Sequence, residues 1–506
     1  MSTVGNDKPR SALRRRQKPP SASPPTPVPW ESFLRVIRRL DRAVNDLRRR
    51  TPDFSAATPF PVWQQTVMLA IPAIFTAALI LVDEQALILW WVVLALPFLM
   101  IATVRLVAVW YVVRRQPKHW RGPLDDRRFD ARLPTFSVLV PVYKEEAVVP
   151  GLVAAMRRID YPPDRVEILF ITEEHDQPTR QALLQSNLAQ NMRVLTVPAG
   201  HPQTKPRALN FALQEAGGIL VAVYDAEDIP DRDQLRRAAA AFVAGGPRLA
   251  CVQAQLTIYN AKQSFFSRQF ALEYKALFSG LLPALAFLKL PIPLGGTSNH
   301  FRRDLLRKCG GWDPFNVTED ADLGIRIARL GYDVAVIRSE TSEEAPTEWR
   351  TWCGQRTRWI KGWIQTYLVH MRHPLRLWRD LGTWQFIGFQ IMIGGMILSI
   401  LVHPWFYVLI VNKAMSGAAL MPAGAALQWI FSAHLMIGYG AAWLLTIVTA
   451  RGSISGLWAA IWLPIYWLAI SWAAYRAVID LIFRPFHWEK TAHGAGASHR
   501  IALPKS

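Results

Sequence analysis

Two apolar stretches near the start of the chain and three near its end bracket a long central region of mixed composition, and no other feature limits the possible folds as strongly. Thr66 to Val82 and Ala86 to about Val104 are each long enough to cross a hydrocarbon core of roughly 30 Å. The short acidic connector Asp83-Glu84-Gln85 makes them a hairpin. An arginine-rich segment precedes the pair, and Arg105, Arg114, Arg115 and Lys118 follow or close it, so the positive-inside bias predicts both ends in the cytoplasm. Trp384 to Val411 and Gln428 to Ala450 read as two further crossings. Leu457 to Phe483 differs: it contains Pro464, Arg476 and Asp480, its aromatics are spread from Trp458 to Tyr475, and Arg451 and Arg484 flank both ends. A spanning helix gathers aromatics at two interfaces and positive charge on one side, so this segment is predicted to be interfacial or re-entrant. That gives four crossings and a cytoplasmic C-terminus, with a fifth crossing as the alternative.

The 506 residues are 51% hydrophobic with 21 tryptophans, which suits a catalytic domain combined with membrane spans. A net charge of +20 would admit a nucleic-acid partner, but Lys and Arg cluster in the first fifty residues and beside the apolar runs. That placement points to a membrane surface and away from nucleic acid. Cys251, Cys309 and Cys353 have no paired spacing, so isolated reduced thiols are expected. Residues 1–30 show no compact apolar core or cleavage site of a secretory signal. The Pro-, Ser- and Arg-rich stretch Met1 to Pro29 is expected to be disordered. From Trp30 to Arg50 apolar residues recur at helical spacing opposite Arg35, Arg38, Arg39 and Arg42, which predicts a basic helix on anionic lipid; docking on the protein itself is the alternative.

From about Pro134 short β-branched runs alternate with helical stretches: Ser137 to Val142, Glu167 to Thr172, Arg193 to Val197, Leu220 to Tyr224 and Cys251 to Leu256. This pattern predicts an α/β domain with a mostly parallel sheet, whose ligands bind beyond the carboxyl ends of the strands. The first run ends in Tyr143-Lys144-Glu145, a ring for stacking and a carboxylate. The second ends in Glu173-Glu174-His175-Asp176, and a loop after the third leads to Lys205-Pro206-Arg207. The fourth runs into Asp225-Ala226-Glu227-Asp228, where carboxylates repel one another unless a cation lies between them; Mg²⁺ or Mn²⁺ suits such hard oxygen ligands. Helix capping is the plainer reading of this cluster, since a helical run begins at Gln234. Thr318-Glu319-Asp320 precedes another amphipathic helix, where the dipole alone stabilises acids and a general base is the functional reading. Gln355-Arg356-Thr357-Arg358-Trp359 joins arginines to tryptophans able to stack on sugar rings.

In this order and spacing the motifs resemble the family 2 glycosyltransferases, in particular the processive membrane synthases of cellulose, hyaluronan and chitin, over roughly Pro134 to Gly494. The resemblance implies a GT-A (Rossmann-like) domain inserted between transmembrane helix bundles. It implies a UDP-sugar donor held by Tyr143, Glu145, Glu173 or Glu174, Lys205, Asp225 and Arg358, and a metal on Asp225 and Glu227, with Asp228 as a substitute. Asp320 becomes the general base, shaped by Glu319 and Thr318. Trp359, Gln355, Gly296, Thr297 and Ser298 take the acceptor, and Trp488, Lys490 and Thr491 belong to a gating loop. Two positions depart from the family pattern: the usual aspartate after the second strand is Glu173 or Glu174, and the usual Asp-x-Asp is Asp225-Ala226-Glu227.

The expected organisation is a basic tail and amphipathic helix (1–60), a membrane hairpin (61–115), a cytoplasmic catalytic domain (130–345), interfacial helices (346–383), membrane and interfacial helices (384–483), and a gating loop and tail (484–506). The implied activity is inverting transfer to a growing β-linked polysaccharide that passes across an inner (plasma) membrane. Single transfer to a polyisoprenyl phosphate or glycolipid is the alternative. A regulatory cyclic-dinucleotide domain is not expected within this chain, and the identity of the sugar is not legible in it.

Overall fold

The computed structural model describes residues 30–81, 84–115, 130, 132–415, 425–450 and 454–484. The expected tail Met1 to Pro29 and the gating-loop residues Trp488, Lys490 and Thr491 lie outside them. Helix α1 (Trp30–Arg50) is followed by the hairpin α2 (Val62–Leu81) and α3 (Glu84–Arg114). The α1 bounds are those its periodicity predicts, but its apolar side is turned inward: Ala43 and Leu47 are buried, the Gln214 side-chain amide donates to Arg39 O, and Asn210 donates to Ala43 O. This is the docked alternative, and it leaves Arg35, Arg38 and Arg42 exposed. Enough apolar surface was available on the catalytic domain to compete with lipid for the same stripe.

All five predicted strands form. They are β1 (Phe136–Val142), β2 (Val166–Glu173), β3 (Met192–Val197), β4 (Leu220–Val223) and, after the two-residue β5 (Ile229–Pro230), β6 (Leu249–Ile258). Two more strands, β7 (Asn299–Arg302) and β8 (Asp333–Glu343), complete one sheet of order β3-β2-β1-β4-β7-β6-β8-β5. The β3-β2-β1-β4 half is parallel throughout; β7 runs antiparallel to both neighbours, and β6 and β8 are again parallel. The sheet is therefore the mixed, mostly parallel one expected. Its strands are apolar on both faces because helices cover both: α4 (Val149–Arg157) and α7 (Gln234–Gly245) belong to one apolar cluster, α6 (Lys205–Glu215) to the other.

A helical stretch not foreseen in the sequence, α8 (Phe265–Tyr274), continues through a π-type turn at Lys275–Leu281 into α9 (Leu282–Phe287). Ala284 packs on Ala108 of α3, and Phe287 lies against Trp110 and Tyr111. The last turns of α3, extending about 46 Å in all at 1.5 Å per residue, thus run alongside the catalytic domain. After α10 (Arg303–Lys308) and α11 (Glu319–Arg329), the long α12 (Trp349–His370) carries the Gln-x-x-Arg-Trp motif.

Helix α13 (Pro374–Phe389) breaks at Gly382, whose φ of 70° suits glycine, and the apolar segment predicted from Trp384 resumes just beyond it. It passes through a π-type segment into α14 (Met396–Met415), followed by α15 (Ala425–Thr449), α16 (Ile454–Ile461) and α17 (Leu463–Phe483). Among the described residues, Leu96–Arg114, Phe265–Phe287, Pro374–Val408 and Leu463–Phe483 are long and apolar enough to cross a membrane. Helix α17 meets that criterion of length and composition, yet packs on α12: Trp352 Nε1 donates to Tyr466 at one end, and Lys361 reaches Arg484 O at the other. Of the scattered aromatics in this stretch, Tyr466 and Tyr475 are used in such protein contacts, whereas Trp462 and Trp472 are exposed.

Candidate active site

A cavity of about 590 Å³ opens beyond the carboxyl ends of β1, β2 and β4, where ligands of such sheets bind. It is lined by Tyr143, Glu145, Glu173, Lys205, Asp225, Glu227, Gly296, Thr297, Thr318, Glu319, Asp320, Gln355, Arg358 and Trp359. Residues far apart in the chain meet here because strand ends, the α6 and α11 N-termini and α12 face one space.

Lys205 is the first residue of α6, and its ammonium contacts Asp225 Oδ1 and donates to Gly296 O at 2.8 Å. Burial disfavours this cation, but Asp225 and Glu319 outweigh burial and raise it above the ordinary lysine range. Asp225 is aimed by its own N–H, which donates to Asp228 Oδ2 (2.7 Å) and Thr297 Oγ1 (3.2 Å). Asp228 is turned into the protein and is not among the lining residues; its Oδ1 is buried without a hydrogen bond, and burial and the neighbouring acids raise its carboxyl well above the usual range.

Glu319 and Asp320 occupy the first turn of α11, with Thr318 at the N-cap. Burial lifts Glu319 to about 8, helped by Asp320, and lifts Asp320 to about 6 against the opposing Ala321 N–H and Lys205. Ala321 N–H donates to Asp320 Oδ1 at 2.7 Å. A Cβ on Gly296 would come within 3.3 Å of Asp320 Oδ2, so the bare backbone there keeps the second oxygen clear. The other side of α11 is fixed by a buried network: Arg326 Nε donates to Asp322 at 2.7 Å, His370 Nε2 meets the same carboxylate at 3.0 Å, and Arg329 bonds Asp380.

On α12, Trp359 lies beside Tyr274 at 6.4 Å with nearly parallel rings and under the Arg356 guanidinium at 4.9 Å. Arg356 donates to Glu273 (2.7 Å) and Tyr466 (3.1 Å). Gln355 Oε1 is buried and has no hydrogen bond. Tyr143 stands at the β1 end with His175 edge-on at 5.6 Å, and Glu173 is bonded to buried Arg207 at 2.5 Å.

Three sequence-derived candidates sit off the cavity wall. Glu174 accepts from Ala199 N–H at 2.8 Å, so of the two glutamates only Glu173 lines the cavity. Ser298 is buried and donates to Thr341, while its backbone closes the turn into β7. Asp228 is the third. His300, two residues beyond Ser298, is a core residue against Tyr224, and burial lowers its imidazole to about 4. The sequence reading also missed lining residues. Glu343 at the end of β8 is raised well above the usual range by burial and by Asp228, Asp225 and Glu227, and its Oε1 has no hydrogen bond. Glu273 on α8 was missed because neither β8 nor α8 had been assigned. Beyond this part the cavity continues between the membrane-type helices, past Arg105, His403, Tyr439 and Trp467.

An α/β domain with acids, a lysine and arginines converging beyond its strand ends, seated on long apolar helices, is the architecture of a membrane-associated group-transfer enzyme. Residues 134–362 match the family described as "Glycosyltransferase like family 2", so this part of the chain is similar to the glycosyltransferases of that family. The chain is similar to the "Probable glycosyltransferase YdaM" of Bacillus subtilis, 28% identical over 49% of this chain and 58% of that protein. It is 28% identical to the "Beta-monoglucosyldiacylglycerol synthase" of Trichormus variabilis over 55% of this chain and 59% of the relative. The "Cellulose synthase catalytic subunit (UDP-forming)" of Komagataeibacter sucrofermentans is 29% identical over 50% of this chain and 34% of that one. The chain therefore spans well under two thirds of the length of these relatives.

Proposed function

We propose that the protein transfers a sugar from a UDP-sugar, with inversion, to an acceptor hydroxyl that enters from the membrane side of the cavity. The observation carrying this reading is that Lys205, Asp225, Glu319, Asp320, Arg358 and Trp359 share one cavity. Tyr143, Glu145 and Glu173 hold the uridine, while Lys205 at the α6 N-terminus and Arg358 on the cavity side of α12 face the diphosphate. Asp320 takes the proton of the attacking hydroxyl. That hydroxyl forms the new bond to the anomeric carbon as the bond to UDP breaks on the opposite face. Trp359 stacks under the acceptor sugar, with Gln355, Gly296 and Thr297 beside it.

Asp225 and Glu227 would hold a Mg²⁺ or Mn²⁺ ion. Among the described residues no three acidic, His or Cys side chains are gathered as a ready-made site. One or two carboxylates completed by donor phosphates suffice for such a cation, and the upward push that Asp225 and Glu227 exert on the carboxyls of Asp228 and Glu343 marks a crowding of acids that a bound cation would relieve. When bound, it supplies positive charge to the leaving diphosphate.

The long apolar helices and the arginines at the α3 end support an inner-membrane protein with a cytoplasmic catalytic domain. Elongation of a β-linked polysaccharide that passes between the helices and single transfer to a lipid share this chemistry. The test is purified protein in lipid with a panel of UDP-sugars and Mg²⁺ or Mn²⁺, reading UDP release and product length. Asp320→Asn is expected to bind UDP but to lose about 10² to 10⁴ in transfer rate; near-normal transfer removes Asp320 from the mechanism.

A further inference from the structure

The membrane side of the cavity contains a cation with nothing to neutralise it. Arg105 of α3 lines the cavity, and among the described residues its guanidinium meets no carboxylate; it lies over the Trp467 ring, 5.8 Å from the centroid. Buried arginines elsewhere in the protein are tied down, Arg207 to Glu173, Arg326 to Asp322, Arg356 to Glu273, and Arg372 to the backbone oxygens of Asp53 and Ser55. Two more polar atoms on the same wall lack hydrogen-bond partners, Ser399 Oγ and His403 Nδ1, although His403 is 5% exposed. His403 is held with its other nitrogen 2.7 Å from Tyr439 Oη, and Tyr439 stacks on Trp467 at 5.2 Å. The group is thus a fixed polar recess with an unfilled demand for a hydrogen-bonding anion.

Its depth identifies the anion's carrier. Val104, next to Arg105, is buried in the core cluster that contains the sheet residues, and Ala108 one turn on packs against Ala284. Arg105 therefore sits where the membrane helices meet the catalytic domain, the level of lipid headgroups. An ionisable residue within an apolar helix is costly unless it serves a partner, and arginine matches phosphate oxygens two at a time. Trp467 is adjacent to Tyr466, which bonds the Arg356 beside Trp359, so the recess shares a wall with the acceptor end of the site.

We infer that the acceptor is a lipid whose phosphate or phosphodiester is held by Arg105, with Ser399 and His403 completing its hydrogen bonds. This rests on the transfer reading above and specifies its acceptor class.

The test uses the full chain in a neutral maltoside detergent, measuring binding of farnesyl phosphate, farnesol and a tetragalacturonate by thermophoresis, with UDP binding recorded on the same preparation. Farnesyl phosphate is expected to bind about tenfold more tightly than farnesol, a difference of about 1.4 kcal/mol. Arg105→Gln should abolish that preference without altering UDP affinity, and Arg105→Lys should keep part of it. Equal binding of phosphate and alcohol to the unaltered protein, or a preference that survives in Arg105→Gln, overturns the inference. Tetragalacturonate binding in place of farnesyl phosphate overturns it in favour of an acidic glycan. Loss of UDP binding by the unaltered protein would instead sink the transfer reading itself. If Arg105→Gln does not fold, the Lys variant and the phosphate–alcohol comparison still decide.

Discussion

At the residue scale, the protonation of two adjacent acids decides when the site can work. Asp320, lifted to about 6 by burial, serves as a base only when ionised. Transfer, read as kcat/KM, is expected to fall about tenfold per pH unit below 6 and to level off above it. Glu319, lifted to about 8 from an ordinary 4.5, holds its proton in the folded protein over a range where the unfolded chain has released it. The folded state then binds more protons, so this group's contribution to stability declines as pH rises from 4.5 to 8 and is flat above. Unfolding followed by fluorescence in Glu319→Gln should show that decline removed; an unchanged pH profile would mean that Glu319 ionises normally. Asp320 was legible because an acid just ahead of an amphipathic helix lies at a helix start, and the order of the motifs singled it out as the base. That Asp228 faces inward and Glu174 sideways was not legible, since adjacent carboxylates look alike in a sequence and only the hydrogen bonds to Thr297 and Ala199 separate them.

At the scale of elements, α1 and α12 show how packing assigns a helix its neighbour. The sequence predicts α1 to the residue and leaves its partner open, because an apolar stripe bordered by arginines suits lipid or protein equally. Leu47, 4% exposed, lies in the space above Gly310 that a side chain there would occupy. Leu47→Ala should cost about 2 to 5 kcal/mol, readable as a lower melting temperature and earlier proteolysis at the α1 end. Little change would mean that α1 docks without contributing. Helix α12 passes so close to Thr318 that a Cβ on Gly362 would stand 2.5 Å from Thr318 Cγ2, which is how the motif helix and the α11 N-terminus come to share one cavity.

For the whole molecule, the junction between domain and membrane helices depends on a few polar ties inside an apolar seam. Arg356 joins α12 to Glu273 of α8 and Tyr466 of α17 while lying over Trp359. Removing one partner of a buried charge pair typically costs about 3 to 5 kcal/mol, and the partial exposure of Glu273 places this pair at or below the lower end. Arg356→Met is expected to lower the melting temperature and reduce transfer more than UDP binding, because Trp359 loses its support at the acceptor end. A matching loss of both would assign Arg356 to the donor instead.

By itself the sequence determined the alternation of strands and helices, the apolar segments and the order of acidic and arginine motifs, since these follow from local periodicity and from what a strand end exposes. Only the tertiary structure decided that β7 runs antiparallel between β4 and β6, that α8 and Glu343 border the site, and that Arg105 faces a cavity with no counter-charge among the described residues. Each of those depends on which surfaces meet across long stretches of chain, and no local pattern records that.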